Sequence, residues 1–399
     1  MRAFLSAVAF LSLLGTPATT PSSMQIMRVG RDLKLPFSPA VRAGKFIYLS
    51  GALATDETGK FAGGDIKAQT KRVLDNLGGV LKTAGSRMEN AVSVAVYLRN
   101  ASDFQAMNEV YGRYWPKDPP ARATIAANLA MPEALVEISM IAVADGAERQ
   151  VVHPEGWVRP SSPYSYGIRC GDTLYLAGLL SRSGKDNSTI SGDIKVQTRT
   201  AMDNAGEILR AGGMTYADVA SARVYITDTA LFQDMNAAYR SYFPKDPPAR
   251  ATVKAGLTSL EAAVEISLVA VKSGTREAIN PPNADSSPAQ PNPNLSSAIR
   301  VGNRLFLSGM LGNDAGNKGD LAGQTRTALA RIARTLRAAG FGWQDVVDGT
   351  VYITEMKNIN AMNEAYREIF TRDFPARTAV EAGLMSPDAL VEIMFTAAK

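Results

Sequence analysis

A single cysteine, Cys170, and a single histidine, His153, stand in a chain of 399 residues. One cysteine cannot close a disulfide within the chain, and the two residues together cannot build a Cys/His metal cluster. A histidine-based triad could draw only on His153. That residue lies in His153-Pro154-Glu155-Gly156, a linker-like run that suits a solvated side chain. Chemistry therefore falls mainly to carboxylates, arginines, hydroxyls and backbone. No phosphate loop, metal signature or nucleophile elbow is present. Beyond the N-terminus no apolar run is long enough to cross a bilayer. A basic stripe is missing as well. The 43 Lys and Arg are scattered among 38 Asp and Glu, for a net charge of +5, so the footprint of nucleic-acid binding is absent.

Apolar residues make up 46% of the chain and charged residues 20%, an ordinary globular composition with material for several cores. The start reads as an export signal. Arg2 precedes the uncharged apolar run Ala3 to Leu14, and Gly15, Pro17 and Ala18 follow. Residues 1–20 are therefore expected to be a signal peptide, and the remainder an exported, periplasmic or secreted protein without a membrane anchor.

An internal repeat decides the organisation. Pro120-Ala121-Arg122, Pro248-Ala249-Arg250 and Pro375-Ala376-Arg377 recur at intervals of 128 and 127 residues. Fifteen residues after each arginine comes Glu137, Glu265 or Glu392, each inside Val-Glu-Ile. Fourteen before it comes Asn108, Asn236 or Asn363, each inside Met-Asn-x-x-Tyr. Thirty-nine before each asparagine comes Gln69, Gln197 or Gln324, each followed by Thr. The main length variation falls at Asp56-Glu57-Thr58-Gly59, Gly184-Lys185-Asp186-Asn187 and Asp314-Ala315-Gly316-Asn317. Turn-forming composition and variable length mark a surface loop.

The copies are expected at 25–146, 147–274 and 275–399. Two polar, proline-bearing linkers, Asp145 to Pro163 and Asn280 to Pro293, should be extended and unpacked. In the first copy Lys45 to Leu49 reads as a strand. Ile66, Thr70, Val73, Leu74, Leu77, Val80 and Leu81 recur at helical spacing. Val92 to Leu98 is strand-like, Phe104, Met107, Tyr111, Tyr114 and Trp115 form a second helical stripe, and Ala123 to Ala127 and Leu135 to Val143 are closing strands. Two helices on one face of a sheet make an α+β domain. The closing strand is apolar on both sides and wants burial on both. Three copies can supply it by packing their bare faces around a threefold axis, which predicts a monomer with internal pseudo-symmetry.

Glu137 sits in an apolar strand, where a lone carboxylate is expensive to bury. Arg122, on the preceding strand, is the cation at fixed spacing, and a hairpin of those strands is expected to bring the two together. A structural ion pair is one reading of this pattern. The other is a site for a small carboxylic acid, since a guanidinium grips a carboxylate in a bidentate fork and a buried glutamate can activate water.

Phe37-Ser38-Pro39-Ala40-Val41-Arg42-Ala43-Gly44, Leu49-Ser50-Gly51, Gly63-Gly64-Asp65-Ile66, Gln69-Thr70, Asn108-Glu109-Val110-Tyr111, Pro120-Ala121-Arg122 and Val136-Glu137-Ile138 form an ordered set. It resembles the Rid family, also called YjgF-type or endoribonuclease L-PSP, over nearly all of each copy. The resemblance implies chorismate-mutase-like α+β domains in a trimer around a central β-barrel, with sites in the clefts between domains. It implies hydrolysis of reactive 2-imino or enamine acids to 2-keto acids and ammonia, with no metal or cofactor. Small imino or keto acids would be the ligands, and no nucleic acid partner is expected. By the same resemblance Arg122, Arg250 and Arg377 grip the substrate carboxylate, and Glu137, Glu265 and Glu392 position the water. Ser50, Ser308, Tyr164 and the landmark asparagines Asn108, Asn236 and Asn363 complete the candidate substrate-binding set. The second copy has Ala177 where the others have serine, and Tyr164 is matched by Phe37 and Leu295. A non-catalytic carboxylate binder, a chaperone-like module and an endoribonuclease are the alternative functions.

The export expectation is checked by mass spectrometry of the protein from its native cell. A mature N-terminus near residue 18 to 20 is the expected outcome, and cytosolic protein retaining Met1 would refute it.

Overall fold

The computed structural model describes residues 26–30 and 35–399. The expected export segment lies outside the described residues. In the first copy β1 (Ile26–Val29), β2 (Ala40–Ala43) and β3 (Phe46–Ala52) precede helix α1 (Ile66–Thr83). Then come β4 (Ala91–Leu98), helix α2 (Phe104–Tyr114), β5 (Ala121–Ala126) and β6 (Val136–Val143). The other copies repeat this order, with long helices Ile194–Ala211 and Leu321–Ala338.

Local chemistry accounts for these elements. Asp65, Asp193 and Asp320 cap the long helices by accepting from the backbone N–H of Ala68, Val196 and Gly323, which satisfies donors that a helix start otherwise leaves unpaired. The apolar stripes Val73, Leu74, Leu77 and Leu81, and their counterparts in the other copies, are buried against the sheets. The variable loops are tight turns. Asp56 accepts from Thr58 N–H at 2.8 Å, Asp186 from Ser188 N–H at 3.0 Å and Asp314 from Gly316 N–H at 2.8 Å.

The first sheet runs β1-β2-β3-β6-β4-β5 and ends on a two-residue strand, Gly256–Leu257, donated by the second copy. The second sheet likewise ends on Gly383–Leu384 of the third copy. The ring closes where Glu381 N–H donates to Asn128 O at 3.0 Å. The chain thus forms three α+β copies whose sheets are joined at their edges about a common core. The sheets turn one face outward to their helices and the other toward a common core. That core takes Tyr97, Ile125, Tyr225, Val253, Tyr352 and Val380 from all three copies.

At the centre the symmetry breaks. Tyr97, Tyr225 and Tyr352 occupy equivalent positions, and the hydroxyls of Tyr225 and Tyr352 lie 3.3 Å apart. Two residues before each tyrosine stand Ala95, Arg223 and Thr350. Arg223 Nη2 donates to Thr350 Oγ1 at 3.2 Å. Asp348 shares this centre, where burial pushes its carboxyl up to about 6 against the pull of Arg223. Of the two linkers, the second follows expectation, being mostly exposed and free of regular structure from 280 to 293. The first does not. Gln150–Val152 adds a strand to the second sheet. Trp157 packs edge-on against Tyr166 with ring centres 4.9 Å apart, because an aromatic side chain gains too much from burial to stay in water.

The shared core predicts one chain per particle. Light scattering of the full chain should give a mass near 42.6 kDa less any removed leader, and a stable particle of three chains would contradict it.

Candidate active site

The arginines and glutamates face one another across copies. The expected hairpin between the Arg122 and Glu137 strands does not form, because β4 runs between β5 and β6 and pairs with both. Arg122 instead faces Glu265 of the second copy, Arg250 faces Glu392 of the third, and Arg377 faces Glu137 of the first. All six residues are at most 4% exposed.

Backbone contacts dock each arginine strand on the next copy. Ser165, Ser296 and Ser38 donate their N–H groups to Pro120, Pro248 and Pro375 O at 3.1, 3.3 and 3.0 Å. Gly178 and Gly309 donate theirs to Arg122 and Arg250 O at 3.0 and 3.1 Å. Ser50 and Ser308, expected to touch substrate, serve this docking. Each hydroxyl accepts an arginine N–H, Arg377 to Ser50 and Arg250 to Ser308, both at 2.8 Å. Each also donates to its own copy, to Ser38 O or Ser296 O, at 2.6 Å. Ala177, with no hydroxyl, omits this strap in the first cleft.

Each guanidinium lies over the tyrosine of its own Met-Asn-x-x-Tyr helix. The separations are 4.7 Å for Arg122 and Tyr111, 4.7 Å for Arg250 and Tyr239, and 4.9 Å for Arg377 and Tyr366. Desolvated cation–π contacts of this kind are worth about 2 kcal/mol or more. The sequence contained this tyrosine as part of a repeated motif, but helical spacing alone marked it as core. Asn236 accepts from Arg250 Nη2 at 2.6 Å. Asn108 is buried with neither amide atom paired, and Asn363 Oδ1 is unpaired as well. Tyr164 stands over Arg122 at 5.9 Å and Phe37 over Arg377 at 5.5 Å, each supplied by the copy that brings the glutamate.

The glutamates are held by means that the sequence reading did not assign. Gly51, Gly178 and Gly309 lie so close to Glu137, Glu265 and Glu392 that a Cβ on any of them would collide with Oε1. Gln69, Gln197 and Gln324 reach from the long helices to accept the N–H of Leu135, Ala263 and Leu390 at 2.8, 2.8 and 2.7 Å. They thereby fix the two residues that lead into each glutamate. Thr124 N–H donates to Glu265 Oε1 at 3.1 Å.

Burial governs the charges. It pushes Glu137, Glu265 and Glu392 each up to about 8, against the pull of the facing arginine. It also lowers the three arginines, although guanidinium stays charged at neutral pH. Each cleft therefore sets a guanidinium opposite a carboxyl that burial biases toward its protonated form. Arg122 Nη1, Arg250 Nε and Nη1, and Arg377 Nε have no hydrogen-bond partner, a condition that costs about 1–3 kcal/mol or more per group. Such donors await an anionic acceptor. A cavity of about 280 Å³ opens onto Arg122, Thr124, Tyr164 and Glu265.

A family model described as endoribonuclease L-PSP matches residues 32–144, 157–272 and 286–399. The chain belongs to this family. Among curated relatives, a RutC family protein of Sulfurisphaera tokodaii is 40% identical over 123 residues, covering 31% of this chain and 98% of that protein. The 3-aminoacrylate deaminase RutC of Acinetobacter baylyi is 36% identical over 108 residues, 27% of this chain and 86% of that one. Reactive Intermediate Deaminase A of Arabidopsis thaliana is 37% identical over 108 residues, 27% of this chain and 58% of that one. Each of these matches covers about one copy. A chorismatase crystal structure aligns with 78% of this chain and 93% of its own at a TM-score of 0.54 and 17% identity, which speaks for the fold alone.

The three raised carboxyls in the clefts of this chain carry a measurable consequence. The ordinary value for the unfolded chain is 4.5 and the folded value about 8. Between those limits the folded state binds more protons, so stability falls as pH rises. Urea unfolding at pH 5 and pH 8 should show the drop, and Glu→Gln at 137, 265 and 392 together should flatten it. An equal drop in the variant would mean that the carboxyls titrate normally.

Proposed function

We propose that the chain is a hydrolytic deaminase of reactive 2-imino or enamine acids, converting them to 2-keto acids and ammonia. One observation carries the reading: buried guanidinium donors without an acceptor face a buried glutamate of the next copy, whose carboxyl burial pushes up to about 8. A small carboxylate satisfies the guanidinium and leaves its 2-carbon toward the glutamate. Water adds to the carbon of the protonated C=N group and one of its protons passes to the ionised form of the glutamate, which leaves a neutral carbinolamine. The glutamate returns that proton to the nitrogen, the C–N bond breaks as the hydroxyl oxygen forms C=O, and the hydroxyl proton passes to the carboxylate as ammonia leaves. A group that titrates close to the working pH suits both halves of that exchange. The deaminase names of two relatives favour the same chemistry. RNA cleavage has less support, since the one histidine is exposed and its Nε2 lies 2.9 Å from Trp157 O.

Arg→Lys at 122, 250 and 377 keeps the charge and removes the planar fork. Turnover of an imino acid generated in situ should fall by about two orders of magnitude or more, the scale of losing one preorganised donor. Circular dichroism should stay near that of the parent. A folded triple variant with the parent rate would make the arginines structural. A folded parent that binds keto acids without turnover would leave a carboxylate binder instead.

A further inference from the structure

The cleft between the first and second copies carries walls that the repeat does not explain. Trp157 comes from the segment between copies and Arg182 from the stretch leading into the variable loop of the second copy, beside Tyr164, whose place the first copy fills with Phe37. Arg182 is set by register, four residues beyond Gly178. The matching positions four residues beyond Gly51 and Gly309 are Thr55 and Asn313, both neutral. Arg182 therefore gives this cleft a second cation at a position where the other clefts have none. In the third copy Arg331 approaches the same loop, but it is committed to carbonyls. It donates to Leu311 O at 2.7 Å and to Asn313 O at 3.1 Å.

Arg182 has no such commitment. Among the described residues no carboxylate pairs with it, and its charge acts on the phenols of Tyr164 and Tyr166, both of which line the cavity. Of the cavity's acidic and basic side chains, two are arginines and one is the buried Glu265. A ligand with one carboxylate would satisfy Arg122 and leave Arg182 unmatched. Trp157 and Tyr164 line the cavity together with both arginines, and an arginine–carboxylate pair is among the stronger hydrogen-bonded pairs.

We propose that the cleft formed by Arg122, Arg182 and Glu265 selects 2-imino and 2-oxo dicarboxylic acids, Arg122 holding the carboxylate beside the reacting carbon and Arg182 the distal carboxylate. This rests on the deaminase reading and narrows its substrate class for one of the three clefts. The bond changes are those of the hydrolysis above, and the distal carboxylate takes no part in them.

The test is calorimetric titration of the full chain with two unreactive acids of equal carbon count, 2-oxoglutarate and 2-oxopentanoate. The dicarboxylate should bind about 10-fold or more tightly, as expected for one added charge-assisted hydrogen bond, at one site per chain. Arg182→Gln should lower dicarboxylate affinity about 10-fold more than monocarboxylate affinity. Arg182→Lys, which keeps the charge, should restore much of the preference, whereas a merely structural role would not distinguish charge in this way. Equal affinity for the two acids, three equal dicarboxylate sites, or a parallel loss of both acids in Arg182→Gln would overturn the proposal. Monocarboxylate binding and imino acid turnover that survive those results would leave the deaminase reading standing. Absence of binding by either acid together with absence of turnover would remove both.

Discussion

A guanidinium stacked on a tyrosine of its own helix and facing a carboxyl of the next copy is the contact on which the rest of this molecule depends. A guanidinium or a carboxyl is costly to bury alone in so dry a place, and each cleft draws the two from different copies. The backbone bonds from Ser38, Ser165 and Ser296 to the proline carbonyls bring the partners into place. The glycines at 51, 178 and 309 leave the space in which the carboxyls sit. Three copies in a ring are the smallest arrangement here in which every arginine finds its glutamate.

A single chain also allows what identical subunits cannot. At the centre Arg223 stands alone among its equivalents Ala95 and Thr350, with Asp348 beside it and Thr350 accepting one of its N–H groups. Three identical subunits would put three guanidinium groups on the axis, and like charges at such range repel strongly in a low dielectric. Fusion lets one copy carry the arginine and another its acid. The clefts differ for the same reason. One lacks the serine strap through Ala177 but gains Tyr164, Trp157 and Arg182. The cleft of Arg250 and Glu392 keeps its strap through Ser308, and the equivalent of Tyr164 there is Leu295.

Much of this was legible beforehand, because the relevant signals are local. The helix from Ile66 shows in its apolar spacing and its capping Asp65, and the turns at 56, 186 and 314 show in their composition. Fixed intervals between glutamine, asparagine, arginine and glutamate marked the residues that line or support the clefts. The roles were less accessible. Ser50 and Ser308 stand next to the site in sequence, yet their hydroxyls hold the neighbouring arginine strand. Tyr111 reads as one more apolar position of a helix, yet it is the platform for Arg122. The linker residue Trp157 looked solvated by composition and is packed.

Sequence by itself determined the threefold repeat, the α+β elements of each copy and the identity of the arginines and glutamates. These follow from periodicity and spacing along one chain. Tertiary structure alone decided which glutamate each arginine meets. Spacing suggested Arg122 with Glu137, but strand order inserts Ala91–Leu98 between their strands and turns Arg122 toward Glu265. Distance along the chain does not encode the order of strands in a sheet or the rotation that relates one copy to the next, and the clefts are made by both.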